Sequence, residues 1–242
     1  MSLPKIRLER CYRAGDGLWR LDDAQARHLV RSLRSYEGAA VEGLLPDGGG
    51  TRFLMRLERD GGEYFLRTVS EEPEVSDGVA ITLLIGLLKS SQFDVVLSGA
   101  SELGIKRIIP ALCERSIPRI EPAERAKKLA RWRKILDEGT SVSGSIFPTA
   151  IDSLCAFSEI DWNLMPDARY AAVISRDSRP ISEARAYGVE VAFAVGPEGD
   201  WSDSETCVLM EHGFIPVTLG NRIMKASTAV IAGCGWFRLS CF

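Results

Sequence analysis

The chain has 242 residues, 45% of them hydrophobic, which is enough for one large domain or two modest domains with apolar cores. Its net charge of −3 argues against a protein that binds nucleic acid through bulk positive charge, and no apolar run approaches the length of a membrane span. The six scattered cysteines include no C-x-x-C pair and are accompanied by only two histidines, which predicts reduced thiols and no metal site. The N-terminus lacks the apolar segment of a secretory signal, so we expect a soluble, cytoplasmic protein.

The first 73 residues predict a small antiparallel β domain. Short runs that alternate apolar and polar residues occur at Val41–Leu45, Thr51–Leu57 and Tyr64–Val69. Turns rich in aspartate and glycine, at 47–50 and 60–62, separate these runs. The pattern is typical of antiparallel strands that form a small barrel.

One helix is predicted in this domain, over Asp22–Ser35. Arg31 and Arg34 are three residues apart and would share one face of that helix, with His28 on the same face. On such a face the two arginines could together hold a phosphate group. A surface face held by salt bridges is the alternative.

A polar, acidic stretch at 71–78 predicts the boundary between a first domain, residues 1–73, and a second domain, residues 78–242. Beyond it, apolar strands alternate with helical segments, which is typical of an α/β fold with a parallel sheet. In chain order the predicted elements are strand Val79–Leu87, helix Phe93–Leu103, strand Arg107–Ala111, helix Glu124–Leu136, strands Ala171–Ser175 and Val189–Val195, a helix capped by Ser202 or Asp203, strand Phe214–Thr218 and helix Thr228–Leu239.

Two glycine-containing loops near the C-terminus each follow a predicted strand and precede a predicted helix. The first glycine loop, Gly196–Ser202, reads G-P-E-G-D-W-S, and the second, Leu219–Thr228, reads L-G-N-R-I-M-K-A-S-T. Ligands bind at the carboxyl ends of strands in open α/β sheets, and glycine lets a ligand approach the backbone closely. The pair therefore predicts one ligand site built from both loops.

These loops resemble the signature of the RsmE family of SPOUT methyltransferases. Residues that match the family pattern are Gly196 to Gly199, Ser202 and Glu205 in and after the first loop, and Leu219, Gly220, Arg222, Ile223 and Thr228 in the second. Lys225 stands where the family usually has arginine, and Ser227 where it usually has glutamate. Further blocks at 26–38, 101–116 and 128–135 resemble family motifs in the same order along the chain.

The resemblance implies a fold and an activity. The fold would be an α/β, SPOUT-type parallel sheet with a C-terminal trefoil knot, preceded by a small PUA-like β-barrel that binds RNA. The activity would be transfer of a methyl group from S-adenosylmethionine (SAM) to N3 of a uridine in 16S ribosomal RNA. The implied partner is 16S rRNA or the small ribosomal subunit. A homodimer is also expected, because the final helix is too apolar for full exposure.

The resemblance also assigns residues to roles. The cofactor would be held by both loops, through Val195, Gly196, Pro197, Glu198, Gly199, Leu219, Gly220, Asn221, Ile223, Met224 and Thr228. Arg222 and Lys225 lie beside the cofactor loop and are the candidate catalytic cations, since a positive charge can stabilise the negative charge that develops on the uridine. Ser227 cannot act as a strong base. In the first domain, the resemblance favours RNA contacts for His28, Arg31 and Arg34, with the two arginines holding phosphate.

Three departures from the family pattern keep other functions open. Gly99 stands where the family has lysine, residues 138–145 lack the family's glutamate, glutamine and arginine, and Asp200 replaces a glycine. One alternative is a non-catalytic RNA-binding relative, and another is a SPOUT methyltransferase with a different RNA target. A second basic segment, 119–134, is interpreted equally well as an RNA contact or as a solvated helix face.

Overall fold

The computed structural model describes residues 3–45, 50–73, 78–175, 177–185 and 190–240. The chain forms two compact units, Met1–Ser76 with Gly144–Phe147, and Asp77–Ser143 with Pro148–Phe242. Most of the predicted turn at 47–50, residues 74–77 of the predicted boundary, and Val189 lie outside the described residues. Among the described helices, none combines the length and the apolar character that crossing a membrane requires.

The first unit contains one six-stranded sheet. Its strands are β1 Lys5–Arg7, β2 Tyr12–Gly15, β3 Leu18–Arg20, β4 Ala40–Leu45, β5 Thr51–Asp60 and β6 Glu63–Pro73. They lie in the order β1-β4-β5-β6-β3-β2, with β1 and β4 parallel and the other pairs antiparallel. Alternate side chains of β5 (Phe53, Met55 and Leu57) enter the core, as the two-residue period requires. The three predicted strand runs are confirmed, whereas β1 to β3 are too short to give a pattern.

The predicted helix over Asp22–Ser35 is helical as far as Ser32, but it is α-helical only in its first half and it is wrong beyond Ser32. Helix α1 covers only Asp23–Arg27, where Asp22 and Gln25 form a capping box, and a π-helical turn follows over His28–Ser32. Arg34 then takes a left-handed conformation with φ of 53°, so the chain has already left the helix. Arg31 and Arg34 therefore do not share a helix face, although both side chains are exposed.

The second unit is an α/β structure with a parallel sheet, as predicted. Its elements are β7 Ala80–Gly86, α2 Ser90–Glu102, β8 Arg107–Leu112, α3 Pro122–Ser143, β9 Ala150–Ile151, β10 Cys155–Ala156, β11 Arg169–Ala172, β12 Arg179–Pro180, β13 Glu190–Val195, α4 Asp203–Glu211, β14 Ile215–Thr218 and α5 Ala226–Leu239. The strands lie in the order β10-β8-β7-β13-β11-β14-β12, and β9 pairs with β8. Each of these neighbouring strands runs parallel to its partner.

Both faces of this sheet are buried, which explains why its central strands are continuous apolar runs. Along β13, Val191, Phe193 and Val195 enter a core shared with α2, α3 and α5. Ala192 and Ala194 face the opposite way, into a core shared with α4. One face of β13 therefore presents small alanines to the core that contains α4. The other face presents larger side chains to the core that contains α2, α3 and α5.

Glycines bring three helices of the second unit into close contact. Gly99 of α2 faces Ile231 of α5, and Gly139 of α3 faces Ser101 of α2. Helix α3 is longer than the predicted Glu124–Leu136, because Gly139 and Thr140 are buried and the helix continues to Ser143. The stretch that departs most from the family pattern is therefore largely helical.

Two glycines of α5 provide a test of this packing. A Cβ atom at Gly233 would collide with the ring of Phe193, whereas a Cβ atom at Gly235 would meet nothing within 4 Å. We expect Gly233→Ala to lower the free energy of unfolding by about 1–3 kcal/mol through overpacking. Gly235→Ala is the matched control and should raise it by up to about 1 kcal/mol, because alanine favours the helix. Denaturant unfolding checks both, and an equal effect of the two changes would contradict the packing.

Candidate functional site

Four neighbouring parallel strands of the second unit end at one edge of the sheet. Beyond the carboxyl ends of β7, β13, β11 and β14 lies a cavity of about 870 Å³. Its lining includes Leu88 after β7, Ala172 to Ser175 at and after β11, Val195 to Glu198 at the end of β13, and Val217 to Ala226 at the end of β14. The cavity is therefore in the position that the topology of an open α/β sheet predicts for a ligand.

The cavity brings together most of the residues that the sequence assigns to a site. Those that line it are Val195, Gly196, Pro197, Glu198, Leu219, Gly220, Asn221, Arg222, Ile223, Met224 and Lys225. Gly199 does not line it, because it lies against Arg115. Thr228 does not line it either: it is exposed in the first turn of α5, where Ala226 and Ala229 face the cavity. His28, Arg31 and Arg34 belong to the first unit and are all exposed.

The first glycine loop closes on itself through a tight turn. The backbone N–H of Asp200 donates to the carbonyl of Pro197 at 2.9 Å, and Asp200 has a φ of 59°. This left-handed conformation explains why a glycine suits this position, and aspartate is among the few other residues that tolerate it. The Asp200 carboxylate also accepts the N–H of Trp201 at 2.9 Å, which stabilises the turn locally.

Glu198 joins this loop to the start of α2. Its Oε1 atom accepts the backbone N–H of Lys89, the residue that caps α2, at 2.9 Å. Pro197 lies so close to the end of β7 that a Cβ atom at Gly86 would approach the Pro197 ring to 2.5 Å. The loop is thus held against the β7–α2 connection by one hydrogen bond and by direct packing.

A buried carboxylate and an arginine attach the other end of the loop to the segment after β8. Glu205 accepts the N–H of Ser202 at 2.9 Å and the N–H of Glu114 at 2.8 Å. Arg115 donates to the carbonyls of Gly199 at 3.3 Å and Trp201 at 2.9 Å. Burial, with a smaller contribution from the Glu205 charge, raises the pKa of the nearby Cys113 thiol, so this thiol is neutral at pH 7 and is not a nucleophile.

The second glycine loop leaves its side chains open to the cavity. Gly220 has a φ of +124°, and a Cβ atom added to it would meet nothing within 4 Å, while its N–H and carbonyl both bond to the Thr218 hydroxyl. Ile223 is 83% exposed and Met224 37% exposed, so these apolar side chains are available to a ligand rather than committed to the core. Arg222 and Lys225 are exposed beside them.

Several cavity residues were not identifiable from the two loops alone. Leu88 and Lys89 come from the β7–α2 connection, Gln92 comes from the first turn of α2, and the Ala172–Ser175 stretch begins at the last residue of β11. These residues could have been predicted from the rule that ligands bind where parallel strands end at one edge of a sheet. The rule applies to all four strands and not only to the two that are followed by glycine motifs. Gln92 is the least expected member, and its Oε1 accepts a hydrogen bond from the buried Ser227 hydroxyl at 2.6 Å.

Comparison with known proteins agrees with this geometry. Residues 76–238 match the family model of the RNA methyltransferase domain. The ribosomal RNA small subunit methyltransferase E of Synechocystis sp. is 31% identical over 216 residues, which cover 86% of this chain and 69% of that protein.

Solved structures extend the likeness to three dimensions. The ribosomal RNA small subunit methyltransferase E of Neisseria gonorrhoeae, solved bound to S-adenosyl methionine, has a TM-score of 0.79 and 27% identity, with 97% of this chain and 96% of that chain covered. A Legionella pneumophila methyltransferase shares the fold, with a TM-score of 0.81 at 22% identity over 99% of this chain and 98% of that chain. The chain belongs to the RNA methyltransferase domain family and, within it, to the ribosomal RNA small subunit methyltransferase E family.

Proposed function

We propose that this protein transfers a methyl group from SAM to N3 of a uridine in 16S ribosomal RNA. The observation that carries the proposal is the cavity formed by both glycine loops at the ends of four parallel strands. Its volume of about 870 Å³ lies in the range of roughly 300–1,000 Å³ that is usual for small-molecule sites. The name and bound cofactor of the Neisseria relative support the same function.

The chain offers an apolar surface and backbone polar groups to the cofactor. Leu219, Ile223 and Met224 can pack against the adenine ring, and the backbone around Gly196 and Gly220 can bond to its edge. When bound, SAM supplies a sulfonium-activated methyl group. The loops have to hold it in line with the attacking nitrogen, since the rate depends on this alignment.

Positive charge near the cavity suits the chemistry of the uridine. N3 has to lose its proton before it attacks, which leaves negative charge on the two carbonyl oxygens of the base. Arg222 and Lys225 line the cavity and can stabilise that charge. Gln92 also lines it and, with its Oε1 held by Ser227, can donate from its amide nitrogen to an acceptor oxygen of the ligand. Ser227 is committed to this contact and does not serve as a base.

The proposal includes finer features of fold and assembly. We infer that the first unit is a PUA-like barrel which docks the RNA through His28, Arg31 and Arg34. The C-terminal domain would carry a trefoil knot and form a homodimer, and the protein would act in the cytoplasm on the small ribosomal subunit. The apolar character of α5, together with the exposed Leu239 near its end, supports the dimer.

Gly220→Val should abolish SAM binding while the protein stays folded. Its positive φ makes the substitution strained, and the added side chain would enter the cavity. Gly213→Val is the matched control, because Gly213 also has a positive φ of +79° and open space around it but does not line the cavity. Calorimetric titration with SAM checks the pair. Equal SAM affinity in both folded variants would mean that the cofactor does not occupy this cavity.

Arg222→Gln should reduce methyl transfer by on the order of 100-fold with little change in SAM affinity, because it removes one group that stabilises developing charge. Mass spectrometry of nucleosides from 16S rRNA, taken from cells that lack the gene and treated with SAM and each variant, measures the product. Arg179→Gln is the control, since Arg179 is exposed in the same unit and does not line the cavity. Unreduced formation of 3-methyluridine by Arg222→Gln would remove Arg222 from the mechanism.

Replacement of Arg31 and Arg34 together by glutamine should weaken RNA binding and leave SAM affinity unchanged. Each lost phosphate contact lowers the slope of log affinity against log salt by roughly 0.7 for single-stranded RNA. The control is the double variant Arg56→Gln and Arg59→Gln, which removes the same charge from exposed positions of β5. Filter binding across a salt series checks both. If the two double variants behave alike, the first unit has no specific RNA contact at Arg31 and Arg34.

A further inference from the structure

A second, smaller cleft opens beside the large cavity in the same unit. Its volume is about 190 Å³, and Leu88 lines both spaces. At about 30 Å³ per water molecule, the cleft has room for roughly six waters, which suits a phosphate group with part of its sugar and is too small for SAM. The two spaces are therefore neighbours, separated by Leu88.

The floor of the cleft is rigid and apolar. Phe93 of α2 and Trp132 of α3 are 1% and 3% exposed, with ring centroids 4.7 Å apart. Glu124, Lys128 and Trp132 follow one another at intervals of four residues and so lie on one face of α3. The side chains above the floor are therefore presented on a fixed surface.

Two cations at the cleft are not used by the protein itself. Arg119, on the segment between β8 and α3, and Lys128 of α3 both line it, and neither forms an ion pair within the described parts of the chain. Other basic residues of the same segment are engaged: Arg131 pairs with Asp94 at 2.5 Å, and Arg125 donates to the carbonyl of Leu154 at 3.4 Å.

The remaining polar groups of the cleft also favour an anion. Ser90 lines it and is the first residue of α2, so the positive end of that helix dipole is directed to the cleft. Glu124 is the opposing charge; it lines the cleft from the first turn of α3.

We propose that this cleft binds a phosphate of the RNA strand next to the methylated nucleotide, through Arg119 and Lys128. The inference rests on the proposed function, because a base at the large cavity has to be continued by a backbone on each side. Within the basic segment 119–134, it separates the residues at the cleft from those bonded within the protein, such as Arg125 and Arg131, and from exposed residues such as Lys127. The contact fixes the strand relative to the cofactor and carries no sequence information by itself.

The test compares Arg119→Gln combined with Lys128→Met against Lys127→Met. Lys127 is the adjacent exposed lysine of α3, forms no ion pair within the described residues, and does not line the cleft. We expect the cleft variant to raise the KM for 16S rRNA about tenfold or more and to lower its salt slope by roughly 0.7, because one phosphate is no longer neutralised. Its kcat at saturating RNA and its SAM affinity should stay unchanged, and Lys127→Met should stay within twofold of the wild type.

Each other result has a defined meaning. A wild-type KM and salt slope in the folded cleft variant would overturn the proposal, as would an equal loss in Lys127→Met, which would indicate bulk charge. Binding of inorganic phosphate by the wild type and not by the cleft variant, together with a wild-type KM for RNA in that variant, would indicate a site for free phosphate instead of RNA. If the wild type transfers no methyl group to this RNA, the proposed function fails. Filter binding of the RNA to the same three proteins would still show whether the cleft binds RNA.

Discussion

The first glycine loop depends on one buried carboxylate. Glu205 is 6% exposed, and its two oxygens accept backbone N–H groups from Ser202 and Glu114, which are far apart in sequence. A charge buried to this degree is costly unless it is hydrogen-bonded, so these two bonds and the N-terminus of α4 have to be in place together. The same carboxylate therefore holds the loop, α4 and the segment after β8 in one arrangement.

In this arrangement, the charged side chains next to the loop form hydrogen bonds with the protein backbone. Arg115 and Glu198 are turned to the protein, bonding to the carbonyls of Gly199 and Trp201 and to the N–H of Lys89. A ligand in the cavity then meets main-chain atoms of the loop more than its side chains. Such a site tolerates replacement where the conformation is kept, as at Asp200, whose left-handed φ and bond to the Trp201 N–H reproduce what glycine allows.

The sequence predicts the second unit well because its signals are local and repeated. Buried parallel strands such as β7 and β13 are continuous apolar runs, and Ser202 with Glu205 is a capping signature that the structure contains. The first unit is less predictable, since β1 to β3 are only three or four residues long. It also contains a π turn, in which the Leu33 N–H bonds to the His28 carbonyl, and no residue pattern predicts such a turn. Cavity residues such as Gln92 are visible only once distant strands are placed side by side.

The structure also bears on the non-catalytic alternative. Two of the positions that depart from the family pattern, Gly99 and Gly139, face Ile231 and Ser101 at contacts between helices, and neither lines the cavity. Small residues there allow α2, α3 and α5 to approach closely, so these two changes have a packing explanation that does not involve the cavity. Two departures, Asp200 and Lys225, do line the cavity. Ser227 acts on the cavity only through Gln92, whose Oε1 accepts the Ser227 hydroxyl. Asp200 adopts the left-handed turn that suits glycine, and Lys225 places a positive charge at the cavity as the family's arginine would, so the geometry favours an active enzyme.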